Sequence, residues 1–514
     1  MDPEAPMFRI VTGVVASLLL AGGAAAAPSV THQCLGIDDT AALQADIDAN
    51  AMVVIAPGTT CSITLGGGSH GLIIHKSHFE LRVEHGATLR LADGQVSGLD
   101  RAYMIQIGDG FSDPTDVRIT GPGTLDGNRA NNPLAGFGHM TYRALLYVRG
   151  AASHVEISDL RLVDSTGDAV LIDGRTAANT EYVRVHDNVL YRNEEGINFR
   201  HADFVSVRDN QIFETTKQDG IEPNIGSDDW VVASNLIEQT DIQLGAGVNT
   251  YQRGRGHGVI ANNVIRGHAD GIDVDGSSHV TVVGNVLDKE GATKGRGIIV
   301  RNTTPGPTQS VIVTSNTIHG YVTGIRIEQD DVAVRANTIA EPRDVGISST
   351  GSHVEISGNH VLGPDVSGIE IGAGRDVTLT LNEISDPDSS MQNAIQIGID
   401  AQDVRVETND LAGFSGAAVV DLAAGGSVRY ARNVGFRTEG RGTTTVGAVD
   451  TVSVVAHGLD VTPQLQDIRL TPVGDPGAAS RHWVSNVGPD TFELHLDTPP
   501  GGAGAVFGWS IDSE

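Results

Sequence analysis

Residues 217–229 read KQDGIEPNIGSDD and gather Lys217, Asp219, Glu222, Asp228 and Asp229 into one short segment. Carboxylates at this density can donate and accept protons across a glycosidic bond, hold a cation, or form a solvated loop. Position in a repeating unit separates these readings, because a functional carboxylate keeps a fixed register while a surface one need not.

The register comes from short strands opened by glycine: GINF at 196, GIEP at 220, GIDV at 271, GIIV at 297, GIRI at 324 and GIEI at 368. Aligned on the glycine, with two less regular coils added, the preceding residue reads Asp168, Glu195, Asp219, Thr240, Asp270, Arg296 and Thr323. The residue two after it reads Leu171, Asn198, Glu222, Gln243, Asp273, Ile299 and Arg326. The isoleucine after each glycine belongs inside, so Glu222 and Asp273 point outward. Neighbouring coils lie about 4.8 Å apart. Stacked carboxylates at that spacing raise one another's pKa, which marks them as candidates for acid–base work.

The alignment nominates Asp219 and Asp270 as the first catalytic pair, flanked by Glu222 and Asp273, with Glu195 one coil before Asp219. Asp219 and Asp270, two steps apart, would be separated by about 9.6 Å, near the upper end for an inverting glycosidase. Glu195 and Asp219 would lie about 5 Å apart, as in a retaining one. Asp228 and Asp229 fall outside the register and read as surface. Nearby polar side chains are candidate sugar contacts: Asn198, Arg200, His201, Lys217, Gln243, Arg253, His257, His268 and Arg296, with Tyr251 as a stacking platform. His154, His279 and His319 read as structural or solvated. The histidines lack zinc-site spacing, so no metal is expected. Calcium enters only if the reaction is a lyase, held then by Glu195, Asp219 and Glu222.

The elements that position these residues follow from an asparagine repeat. An asparagine followed by an apolar pair recurs at Asn188, Asn210, Asn235, Asn263, Asn285, Asn316, Asn337 and Asn359, and less cleanly at Asn382 and Asn409. Short alternating strands precede and follow each one, such as HVTVVGN before Asn285. Such units suit a solenoid whose coils hydrogen-bond to their neighbours, with stacked asparagines at a bend. A leucine-rich repeat would need helical segments, and a propeller would need longer blades. The expected fold is all-β: a right-handed parallel β-helix of about ten to thirteen coils over residues 75–445. A capping segment spans 28–74, with a small helix within 37–60. Residues 446–514, richer in proline and aromatics, are expected to form an antiparallel β-sandwich-like module.

Composition agrees. Glycine is abundant at 64 residues and aromatics make up only 4%, which favours strands and turns over long helices. A formal net charge of −30 opposes nucleic acid and anionic membranes, and disfavours a polyanionic substrate. Arg9, an apolar run and small residues ending at Ala27 read as a signal peptide over 1–27. Asp2 and Glu4 fit a basic n-region badly, which points to Met7 as the translation start. A secreted, extracellular protein follows, and in that compartment Cys34 and Cys61 are expected to form a disulfide.

The segments DDT..LQ..I and VVIAPGTTC near the start, and GPGTLDGN at 121–128, resemble the pectate-lyase superfamily of β-helices, in particular its glycoside hydrolase and tailspike-like branch. The tail resembles C-terminal modules of phage-tail and secreted β-helix proteins. The resemblance implies a polysaccharide or oligosaccharide partner and one of three activities. A glycoside hydrolase on a neutral glycan is expected first. A calcium-assisted lyase and a non-catalytic adhesin or tailspike-like binder are the alternatives. Oligomeric state is left between monomer and homo-oligomer, with residues 446–514 as the candidate interface. The Asn-x-Asp and Arg-x-Lys signatures of pectin hydrolysis are not matched, so pectin is not assigned.

Overall fold

The computed structural model describes residues 28–512 except 68, 97–98, 134–141, 175–177, 241–244, 252–255, 290–293, 304–309 and 424–427. The expected signal peptide, Gln243 and Arg253 therefore lie outside the described residues.

One turn of the chain shows how each coil is made. The strand Asp168–Asp173 is followed by Thr180–His186, then by Val189–Tyr191, and the next coil begins with Glu195–Arg200. Each strand pairs in parallel with its equivalent one coil later: Val170 with Ile197, Val183 with Val155, Leu190 with Leu162. Repeated along the chain, this gives a right-handed parallel β-helix. Among the described residues, fourteen strands stack on its shortest face, from Thr60–Ile63 to Asp410–Ala412. The stack is longer than expected and starts earlier, because Met52–Ile55 and His70–Ile74 already pair with strands of the following coils. The helix Thr40–Ala49 precedes them and buries Leu43 and Ile47 on the first coil.

Alternation puts one residue in two inside. Val170, Ile197, Ile221, Val248, Ile272, Ile298 and Ile325 form one buried column, and Leu190, Ile212, Ile237, Ile265 and Leu287 form another. At the corner before the shortest face, the residue ahead of each ladder asparagine takes the left-handed conformation, from Asp187 (φ 56°) and Asp209 (φ 55°) to Arg432 (φ 55°). That bend turns each asparagine inward. Its Nδ2 then donates to Oδ1 of the asparagine one coil on, at 2.9–3.0 Å in every step from Asn188 to Asn433.

The glycine that opens each GI strand is required by close approach. A Cβ on Gly247 would lie 2.3 Å from the Ile265 side chain and 2.9 Å from the Gly271 carbonyl. Cys34 and Cys61 are disulfide-bonded, as expected. Two three-stranded antiparallel sheets follow the helix, the first beginning at Gly440, where Gly440–Val446 pairs with Ala505–Ile511. They enclose a separate small core that includes Phe492, Leu494 and Phe507. Among the described residues, no helix is long and apolar enough to cross a membrane.

Candidate functional site

The face built from the GI strands carries a groove of about 870 Å³. Three columns of outward residues meet in it, because equivalent positions on successive coils lie side by side. Asp168 pairs with Glu195, Leu171 with Asn198 and Asn198 with Glu222, while Asp173 pairs with Arg200. At one end, Tyr103 and Tyr147 stack with ring centres 4.0 Å apart, and the Arg200 guanidinium sits 4.2 Å from the centre of the Tyr142 ring. Tyr251 and Asn224, bridged to one another across coils, line the other side.

Asp168, Glu195 and Glu222 form the floor, and Asp219, which does not itself line the groove, lies against them. Glu195, Asp219 and Glu222 each place an oxygen within 4.8 Å of the others. Asn198 Nδ2 donates to Glu222 Oε2 (2.5 Å) and Glu195 Oε1 (3.2 Å), tying two of them together. Burial, then repulsion from Glu222, pushes Asp168 and Glu195 well above the usual carboxyl range. Burial and the Asp219 charge raise Glu222 to about 7. Asp219 is raised by burial too, but less freely: the Ala246 N–H and the Asn249 amide both donate to it and favour its ionised form. Neighbouring carboxyls raised by burial but held by different donors are the groups from which acid–base chemistry is built.

This part of the register differs from expectation. The coil after Asp219 contributes Ala246 and Asn249, not Thr240 and Gln243: Ala246 pairs with Asp270, Asn249 with Asp273, and Ile221 with Val248. The aligned glycine is Gly247, in AGVN, six residues beyond the sequence alignment. Thr240 instead donates to Glu214 away from the column.

Further along the helix the charges are paired. Arg296 makes two hydrogen bonds to Asp270, at 2.9 and 2.6 Å, and Arg301 binds Asp273 while approaching Asp275 at 3.6 Å. Asp270, Asp273 and Arg296 thus form a neutralised wall one to two coils beyond the groove, and none of them lines it.

The candidate sugar contacts divide. Asn198, Arg200, His201 and Tyr251 line the groove. Lys217 reaches Glu194 at 3.3 Å and does not line it. His257 stands on an exposed corner, bonded to Asp228. His268 corrects its expectation: it is fully buried, and burial with the nearby Lys289 charge pushes its pKa down to about 3. A neutral, enclosed imidazole cannot touch a ligand at the surface. The alignment missed Tyr103, Tyr142 and Tyr147, because it was not carried two coils back into RAYMIQI and YRALLYV, where Tyr147 falls beside Leu171.

The raised carboxyls link stability to pH. A group whose folded pKa exceeds its unfolded value stabilises the fold below the unfolded pKa and loses that contribution as pH rises through the folded one. For Glu222, with its ordinary value of 4.5 raised to about 7, the contribution is at most about 3 kcal/mol. Thermal unfolding is therefore expected to fall in midpoint between about pH 4.5 and pH 7. Glu222→Gln should flatten part of that slope; an unchanged slope would mean that Glu222 titrates normally.

Comparison with known proteins yields the following. A family model described as "Periplasmic copper-binding protein (NosD)" matches residues 233–414, and one described as "Right handed beta helix region" matches 139–287. An uncharacterized protein, YclG of Bacillus subtilis, is 24% identical over 231 residues, 41% of this chain. That alignment spans only 39% of the length of YclG. Among solved structures, the tailspike protein of E. coli bacteriophage HK620 in complex with a pentasaccharide matches with a TM-score of 0.56 and 12% identity, over 94% of this chain and 91% of that one. A mutant of the same tailspike, also with pentasaccharide, reaches 0.64 at 12% identity over the same shares. The chain folds as a right-handed parallel β-helix, and in fold it resembles the phage tailspike.

Proposed function

We propose that the protein binds an oligosaccharide stretch of a glycan in this groove and hydrolyses it there. The observation that carries the reading is the groove itself, with three tyrosines at one end and the raised carboxyls of Glu195 and Glu222 on its floor, Asp219 against them. Tyrosine rings offer flat apolar faces and hydroxyls to sugars, and carboxyls, Asn198 and Asn224 supply hydrogen-bond partners for sugar hydroxyls. Glu222 is the general acid. Asp219, whose ionised form two donors favour against the effect of burial, is the base or nucleophile, and a separation within 4.8 Å lies nearer the retaining geometry of about 5–5.5 Å than the inverting one.

A neutral glycan fits better than a polyuronate. Arg200 is engaged by Asp173, and although Arg101 and Arg149 also line the groove, the formal net charge of −30 opposes a polyanion. A lyase would need calcium on Glu195, Asp219 and Glu222 to accept an anionic sugar. Export accords with the leader-like N-terminus and the Cys34–Cys61 disulfide, and with the periplasmic description of the matching family model.

Binding without hydrolysis is the second reading, and a specific feature favours it. Glu195 is hydrogen-bonded to both Asp168 and Glu222, which suits a pre-formed polar floor for sugar hydroxyls as well as it suits catalysis. The tailspike structures, too, hold saccharides. Purified protein incubated with neutral and uronate polysaccharides, with and without calcium, separates the readings. Reducing ends from a neutral glycan support hydrolysis, and unsaturated uronyl products that need calcium establish a lyase. Saturable binding with no product establishes the binder.

A further inference from the structure

The groove continues past its tyrosines. A side chamber of about 130 Å³ opens there, lined by Arg101, Tyr103, Gln106, Asp109, Tyr147 and Arg149 among others. Arg101, Tyr103, Tyr147 and Arg149 line the main groove as well, so a ligand lying in the groove reaches the chamber directly.

The register leaves this end with unpaired positive charge. Arg149, Asp173 and Arg200 follow one another in one outward column, which sets a single carboxylate between two guanidinium groups. Asp173 binds Arg200 at 2.8 Å and accepts from the Tyr147 hydroxyl at 3.3 Å. Arg149 instead donates to the backbone carbonyl of Asp109 (3.4 Å). The turn it meets there permits close approach: Gln106 Nε2 donates to the Gly108 carbonyl (2.6 Å), and a Cβ on Gly110 would lie 3.3 Å from Arg149 Cζ. The Asp109 carboxylate is occupied by its own turn, where the Ser112 and Phe111 N–H groups hold its pKa down at about 2. Arg101 pairs in register with Tyr142, and its guanidinium lies 5.4 Å from the centre of that ring. Among the described residues, neither Arg101 nor Arg149 is in a salt bridge.

This excess of cations runs against the composition, in which 64 acidic residues face 34 lysines and arginines. The floor does little to cancel it, because burial holds Asp168, Glu195 and Glu222 toward their neutral forms. An anion in the chamber meets the guanidinium groups at contact, while charge elsewhere on the surface is screened over about 8 Å at physiological salt. A polyanion gains less, because its other charges run along an acidic surface.

We infer that the chamber receives one anionic substituent of an otherwise neutral glycan, a carboxylate or a sulfate held by Arg101 and Arg149. Guanidinium groups bind such oxygens through charge-assisted and often paired hydrogen bonds. The inference rests on the glycan reading of the groove and narrows its substrate class to chains bearing isolated acidic groups.

The test presents the full chain with an array of neutral glycans and matched glycans carrying one uronic acid, one sulfate or a run of uronates, with calorimetry on the best of each. Members with one acid should bind at least about tenfold more tightly than their neutral counterparts, and the uronate and sulfate arms identify the group. That ratio should fall about tenfold in Arg101→Gln and in Arg149→Gln. Arg101→Lys and Arg149→Lys keep the charge and should retain part of it. Circular dichroism checks that each variant is folded; where one is not, the preference of the unmodified chain decides. Binding of neutral glycans alone, or a ratio unmoved in a folded Arg101→Gln/Arg149→Gln double variant, would overturn the inference and leave the glycan reading standing. So would tightest binding of the polyuronates. No binding by any member of the array, with D-glucuronate also failing in an NMR titration, would remove both.

Discussion

Glu222→Gln should lower the rate of glycan cleavage by about 10²–10⁴-fold, the range a positioned general acid supplies, while leaving saccharide affinity within about threefold. The amide keeps the shape of Glu222 and still meets Asn198, but it has no proton to give the leaving oxygen. Asp219→Asn should be at least as damaging, because it removes the carboxyl that accepts from Ala246 and Asn249 and would serve as base or nucleophile. Cleavage by the unmodified protein should also fall as pH rises past about 7, where Glu222 loses its proton. Asp270→Asn gives the contrast. Its carboxylate is taken up by Arg296 outside the groove, so the loss there should be far smaller and should appear as reduced stability. Equal losses for Asp270→Asn and Glu222→Gln would move the reacting pair back to the wider one. Unchanged turnover in Glu222→Gln would remove Glu222 from the chemistry.

The fold was legible because its signals are periodic and physically forced. A buried side-chain amide has few ways to satisfy both its donor and its acceptor, and the asparagine series from Asn188 onward therefore announced a stack. The GI strands were legible for a similar reason: only glycine fits where the next coil's backbone and an isoleucine crowd the Cβ position, as at Gly247. The site was legible only where that motif survives. In AGVN the isoleucine is a valine, and the alignment slipped from Ala246 and Asn249 to Thr240 and Gln243. In YRALLYV there is no glycine at all, so Tyr147, one coil below Leu171, went unseen. Charge pairing was hidden more deeply. Asp270 and Arg296 are 26 residues apart, and a column of letters shows them as neighbours without showing that one neutralises the other. The same holds for His257 and His279: no spacing motif would link them, yet the coil period stacks their rings.

Asn263→Ala should cost about 3–6 kcal/mol, measured by urea unfolding, and should far exceed the cost of Asn433→Ala. At Asn263 the side chain accepts from the backbone N–H and Nδ2 of Asn235, and donates to the Val232 carbonyl and to Asn285 Oδ1. Alanine leaves the Asn235 N–H and the Val232 carbonyl without these partners at a position shut off from water, and each such group costs about 1–3 kcal/mol. It also opens a cavity in a stack whose coils support only their immediate neighbours. Asn433 stands at the end of the ladder and is partly exposed, so water can take over what its removal uncovers. The two substitutions delete the same atoms, and the difference between them therefore isolates burial within the stack from the chemistry of the side chain. Equal costs would show that the helix is held by its isoleucine columns alone, with the asparagines merely tolerated at the bend. A large difference would identify the ladder as the feature that fixes coil spacing, and with it the separation of Glu195, Asp219 and Glu222 across the groove floor.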